Sequence, residues 1–85
     1  MTRAEQLEKV KESLNITGNA LDGTLGIFLD DTKEYMLAAG VKATVLDSDK
    51  AIGCICKGVA DIYTNNEYTG YFYQRVSQLA LSEEE

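Results

Sequence analysis

Proline, histidine and tryptophan are absent from this sequence. Without proline, nothing fixes φ or removes a backbone donor, so long helices are uninterrupted. Without histidine there is no ordinary acid-base dyad or triad, and the usual zinc spacings are excluded. Cysteine is limited to Cys54 and Cys56, too few for a disulfide framework. In a helix, at about 100° per residue, they leave the axis roughly 200° apart and are poorly placed to join each other or share a metal. They are expected to be free thiols of a reducing compartment. No apolar run approaches the roughly 20 residues of a membrane helix, and Met1 to Glu12 is charged where a secretory leader is apolar. The chain is therefore expected to be made and folded in the cytosol, where the sequon Asn15-Ile16-Thr17 has no consequence.

Basic residues are also in short supply. Eight lysines and arginines face fourteen acids, a net charge of −6, which repels phosphate backbones and argues against a dedicated nucleic-acid binder. Those that exist are scattered: Lys9 and Lys11 alternate with Glu5, Glu8 and Glu12, and Lys33 follows Asp30 and Asp31.

What is present reads as a single all-α domain spanning 1–85, a small bundle of four helices with short loops. A domain of 85 residues buries only about 60% of its unfolded surface, and with neither disulfides nor metal, oligomerisation is the expected reinforcement. The first helix is expected from Thr2 to Leu14, with a capping box from Thr2 to Glu5 and Leu7, Val10 and Leu14 on one face. Asn15 to Asn19 breaks it, with Gly18 available for positive φ. The second helix, Ala20 to Ala39, carries Leu25, Phe28, Leu29, Thr32, Met36 and Ala39 at helical spacing and stops at Gly40. Val41 to Asp47 alternates weakly and is assigned to a connecting loop, after which Asp47 or Ser48 is the expected N-cap. The third helix, Asp49 to Thr64, places Ile52, Ile55, Cys56, Val59, Ile62 and Tyr63 on the central core face. Gly53 and Gly58 within it mark either a close helix approach or a weak spot. A final helix from Tyr71 to Leu81 carries Phe72, Val76 and Leu79, and Ser82 to Glu85 is an acidic end expected to fray.

Chemistry finds little purchase. Ser13, Ser48, Ser77 and Ser82 lack a base or a nucleophile elbow. Asp30 and Asp31 fall on a solvent face, and Asp47 and Asp49 flank a helix start that favours them. Asp47-Ser48-Asp49 opens like a calcium loop, but Ile52 stands where its glycine belongs and Gly58 where its last ligand belongs. The glycines of Gly18 to Gly26 lack a phosphate-loop lysine. Neither catalysis, nor a cofactor, nor a metal is expected.

The more informative feature is aromatic. Five of seven aromatics, Tyr63, Tyr68, Tyr71, Phe72 and Tyr73, crowd the last interhelical turn. Tyr63 and Phe72 fit core stripes, but Tyr68, Tyr71 and Tyr73 cannot all do so, and tyrosine suits interfaces with one apolar and one wet side. These three, with Arg75, are the candidate protein-contact residues.

Three stretches together resemble the small head-tail connector and DNA-packaging proteins of tailed phages and prophages. Leu7-Glu8-Lys9-Val10-Lys11-Glu12-Ser13-Leu14-Asn15-Ile16 is similar to that family's first helix and turn, and Phe28-Leu29-Asp30-Asp31-Thr32-Lys33-Glu34-Tyr35-Met36 to its long amphipathic helix. Ala51 to Leu79 carries the third part, in which Val59-Ala60-Asp61-Ile62-Tyr63 ends one helix and Phe72-Tyr73-Gln74-Arg75-Val76-Ser77-Gln78-Leu79 resumes the next. Glycines in the third helix, and Ala80 where relatives often carry arginine, depart from the common pattern. The resemblance implies a virion protein of the head-tail junction: a homo-oligomeric ring beneath the portal protein that extends the DNA channel and docks the next head-completion or tail protein. DNA would pass without sequence-specific binding, along a wall that net charge suggests is acidic. The alternative from another class is a small helical DNA-binding regulator. It predicts a basic recognition helix, for which the third helix offers only Lys50 and Lys57 and the last only Arg75.

Overall fold

A computed structural model describes residues 1–81, so the acidic end at Ser82 to Glu85 lies outside the described residues. These are all-helical, with five helices and no strand: α1 Arg3–Leu14, α2 Asp22–Ala38, α3 Ala43–Leu46, α4 Ile52–Asn65 and α5 Gly70–Ala80.

The first helix starts where its sequence directs. Glu5 N–H donates to Thr2 Oγ1 (3.1 Å) and Thr2 N–H donates to Glu5 Oε1 (2.8 Å), closing the capping box. Glu5 is drawn back to the cap, and Lys9 pairs with Glu12 (3.5 Å). The helix ends at Asn15, which takes the left-handed conformation (φ 60°), while Ile16 N–H reaches Lys11 O and Asn15 N–H reaches Glu12 O. The second helix ends in the same geometry at Gly40 (φ 107°), with Val41 N–H on Met36 O and Gly40 N–H on Leu37 O, both at 3.0 Å.

Two sequence expectations change in the next stretch. Val41 to Asp47 is not a plain loop: Ala43–Leu46 forms a single helical turn that buries Val45 and Leu46 beside Val41. Second, the following helix begins at Ile52 rather than Asp49, without a side-chain cap. Ser48 spends its hydroxyl in the preceding turn, donating to Val45 O (2.6 Å) and accepting from Lys50 N–H (3.3 Å).

The core joins Val10, Leu25, Leu29, Met36, Val41, Val45, Leu46, Ala51, Cys54, Ile55 and Val59 to Phe72, Val76 and Leu79. The last helix is thus a core element as well as a surface. α4 is also rotated from its expected face: it buries Cys54, Ile55, Gly58, Val59 and Asp61, and Tyr63 is left partly exposed, edge-on to Phe28 at 6.5 Å. The cause is Gly58. A Cβ there would stand 2.5 Å from Phe72 Cε1 and 2.8 Å from Thr32 Cγ2, so the missing side chain is what admits the Phe72 ring and turns this side of α4 inward. Gly53 has nothing within 4 Å of such a Cβ and plays no such part.

Among the described residues four polar side chains are buried, each with a partner. Gln6 donates to Leu46 O (3.1 Å) and accepts from Lys33 Nζ (2.7 Å). Lys11 lies 2.8 Å from Asp22 Oδ1, Thr32 meets the Tyr68 hydroxyl at 3.1 Å, and Asp61 is held from both sides by Lys57 and Thr69.

Candidate functional site

Residues 68 to 81 contain no carboxylate and one charged side chain, Arg75, in a chain that is 26% charged. α5 buries Phe72, Val76 and Leu79 and turns Tyr71, Tyr73, Gln74, Ser77 and Gln78 outward. A helix surface with tyrosine and arginine but almost no other charge has the composition of an interface core.

Asp61 sets the position of this helix. Thr69, at the N-cap of α5, donates its backbone N–H (3.1 Å) and hydroxyl (2.8 Å) to Asp61 Oδ2, while Lys57 Nζ approaches Oδ1 at 3.0 Å. Burial raises the carboxyl pKa, and the Lys57 and Thr69 hydrogen bonds outweigh it, leaving Asp61 ionised below the ordinary range.

The four candidate contact residues do not form one patch. Tyr68 stacks on Phe72 at 4.4 Å, and Tyr35 and Tyr73 complete the cluster, with Tyr35 5.4 Å from Tyr68 and 5.8 Å from Tyr73. The Tyr68 hydroxyl is pushed up in pKa by burial, against the Thr32 hydrogen bond. Tyr71 shares no ring contact with this cluster and is 58% exposed, against 45% for Tyr73. Two residues apart on a helix, these tyrosines point roughly 200° from each other on either side of buried Phe72. Tyr71 instead shares a flank with Arg75, one turn on, whose guanidinium donates to Gln78 Oε1.

A second concavity was not legible as a site. An open groove of about 600 Å³ lies between α1 and α4, lined by Lys9, Glu12, Ser13, Ile52, Gly53, Cys56, Lys57 and Ala60. Gly53, Cys56 and Ala60 recur at helical spacing and keep its floor low; that spacing was the available signal. Burial raises the thiol pKa of Cys56, with a hydrogen bond to Ser13 acting the other way, and pushes that of Cys54, on the core side, up to about 11. Both are free thiols with little thiolate character, so neither is an activated nucleophile.

The paired carboxylates are equally unsuited to acid-base work. Arg3 grips Asp30 through Nε (2.9 Å) and Nη2 (3.1 Å) on an exposed surface, and that hydrogen bond lowers the Asp30 pKa. Among the described residues no three cysteine, aspartate or glutamate side chains gather to hold a metal ion, and no helix is long and apolar enough to cross a membrane. Comparison with protein-family models, curated proteins and solved structures yields no match to this chain.

Proposed function

We propose that this chain is a non-enzymatic connector subunit of a phage or prophage head-tail junction, assembling into a ring below the portal, extending the DNA channel and docking the next head-completion or tail protein. The observation that carries the reading is α5: tyrosines exposed on a helix free of carboxylates, in a chain otherwise densely and mostly negatively charged. Such a surface suits burial against protein, while the acidic remainder suits a wall past which DNA slides without sticking. The four longer helices would form the small bundle such a subunit needs, with the α3 turn closing one end. The three sequence stretches that resemble connector proteins supply the setting.

The test is the solution mass of the purified protein across a concentration series, alone and with purified portal protein. The expected result is a discrete high-mass species in one of the two conditions. Replacing Tyr71 and Tyr73 together by serine should weaken that assembly at least tenfold while the helical circular dichroism signal persists. Assembly unchanged by the double substitution removes the interface role of these residues, and a monomer in both conditions removes the connector reading.

A further inference from the structure

The side of α2 that the core leaves outside runs into the aromatic cluster. Ile27, Asp31, Glu34 and Tyr35 are all exposed, and Ile27, Asp31 and Tyr35 recur four residues apart, which sets them along one side of the helix. Tyr35 joins that side to Tyr68 and Tyr73, at ring separations of 5.4 and 5.8 Å. Besides burial, the Asp31 charge pushes the Tyr68 hydroxyl up in pKa, against the Thr32 hydrogen bond, so the carboxylate stands beside the rings. Asp31 has no ion pair among the described residues, and Lys33, the nearest cation in sequence, is turned away to Gln6. This face is aromatic and acidic.

The flank of α5 beyond Phe72 has the opposite character. It carries Tyr71 and Arg75 and no carboxylate. The chain has two arginines: Arg3 is gripped by Asp30, whereas the partner of Arg75 is the neutral Gln78. Tyr71 and Tyr73 point roughly 200° apart about the helix axis, so the two surfaces of one chain cannot meet each other.

We infer that the Tyr71–Arg75 flank of one copy docks on the Asp31–Tyr35–Tyr73 face of a second copy, the Arg75 guanidinium lying over the tyrosine rings and pairing with Asp31. This rests on the ring reading and specifies its contact. Charge selects the occupant from both directions. A carboxylate set beside tyrosine rings favours a planar cation that stacks and pairs at once, which is arginine rather than lysine, and of the two arginines Arg75 is the one without a carboxylate. The exposed side of α1 would instead bring Glu5, Glu8 and Glu12 against Asp31, a juxtaposition of like charges that disfavours the wrong partner surface. Because the two surfaces differ, the contact is heterologous, each copy using both, which is the arrangement that propagates around a ring.

The experiment follows self-association of the full chain by light scattering across concentration, alone and with purified portal protein. Arg75→Asp and Asp31→Arg should each weaken association at least tenfold, and the chain carrying both should recover to within a few-fold of the parent. Arg75→Gln, which removes the charge and keeps a polar group beside Gln78, should weaken it several-fold and keeps the test decisive if Arg75→Asp does not fold. A cross-linking readout fixes which surfaces meet. In a Cys56→Ser background, a chain with Asp31→Cys mixed with a chain with Tyr71→Cys should be joined by a short bis-maleimide, and neither chain should be joined to its own kind.

Assembly unaltered by Arg75→Gln and by both charge reversals overturns the docking while leaving the ring reading standing, as does a double variant no better than the singles. A cross-link between two Tyr71→Cys chains shows like flanks meeting and overturns it too. Absence of assembly by the unmodified chain, both alone and with portal protein, marks failure of the ring reading itself, and the docking falls with it.

Discussion

Glycines at two positions of α4 have opposite consequences, because a methyl group meets opposite surroundings. At Gly53 an added Cβ finds nothing within 4 Å, so Gly53→Ala retains every contact and gains helix propensity of about 0.5–1 kcal/mol. At Gly58 the same methyl overlaps the buried Phe72 ring and Thr32. Overpacking of this kind costs about 1–3 kcal/mol and exceeds the propensity gain, so Gly58→Ala should be destabilised by about 1–2 kcal/mol. Urea titrations of the two variants check both signs; a stabilised Gly58→Ala would show that Phe72 has room to move. Asp61 gives the residue-scale dependence on pH. Its pKa is lowered in the folded chain, so its contribution is present above the unfolded value of about 3.9 and is lost as pH falls through the folded value. Asp61→Ala leaves two Thr69 donors and Lys57 without their acceptor and should cost about 2 kcal/mol at pH 7. The cost should shrink as the parent protein is acidified below about pH 4, and a penalty constant from pH 7 to 3 would assign it to packing instead.

At the scale of elements, α5 separates stability from recognition along its two flanks. Tyr73 shares ring contacts with Tyr35 and Tyr68, each such pair worth about 0.5–1.5 kcal/mol. Tyr71 has none with that cluster. Tyr73→Ser should therefore lower the midpoint of thermal unfolding by several degrees, at roughly 4–8 °C per kcal/mol for a domain this small. Tyr71→Ser should leave it nearly unchanged while weakening assembly, and equal losses of stability would mean that Tyr71 packs against its own chain. Helical spacing sets the two tyrosines on opposite flanks, but that Tyr73 is the one to meet Tyr35 and Tyr68 is a tertiary contact; the Thr2–Glu5 cap, the Gly40 stop and the buried stripe of Leu25, Leu29, Thr32 and Met36 follow from spacing and residue type alone. The rotation of α4 does not: periodicity marks Ile52, Cys56 and Tyr63 as apolar, but which apolar side chains find a neighbour depends on where α5 crosses, and that is set by a side chain Gly58 lacks. Helix α3 is hidden for a related reason, since one turn is too short to display a period and Val41, Val45 and Leu46 read equally as an extended run. The groove is a property of the gap between α1 and α4, so only its floor of Gly53, Cys56 and Ala60 is written in the sequence, not its opposite wall.

The whole molecule joins a small core to an unsatisfied surface, and the two are thermodynamically linked. A core built from fourteen buried apolar residues among those described, without a disulfide between the free thiols Cys54 and Cys56, leaves the folded monomer a narrow margin. Any contact made only by folded copies adds to that margin by mass action, about 2.7 kcal/mol when the partner stands at a hundredfold of its dissociation constant. For a domain of this size that corresponds to an upward shift in the unfolding midpoint on the order of 10 °C. The midpoint should therefore climb with protein concentration in the parent chain, and climb less in Tyr71→Ser, which lacks an exposed ring of the proposed contact surface. The parting of the two curves is the diagnostic: together when dilute, the parent the more stable when concentrated. A parent midpoint constant over a hundredfold range of concentration would place the source of its stability inside the single chain, and would leave the aromatic flank of α5 to a partner other than itself.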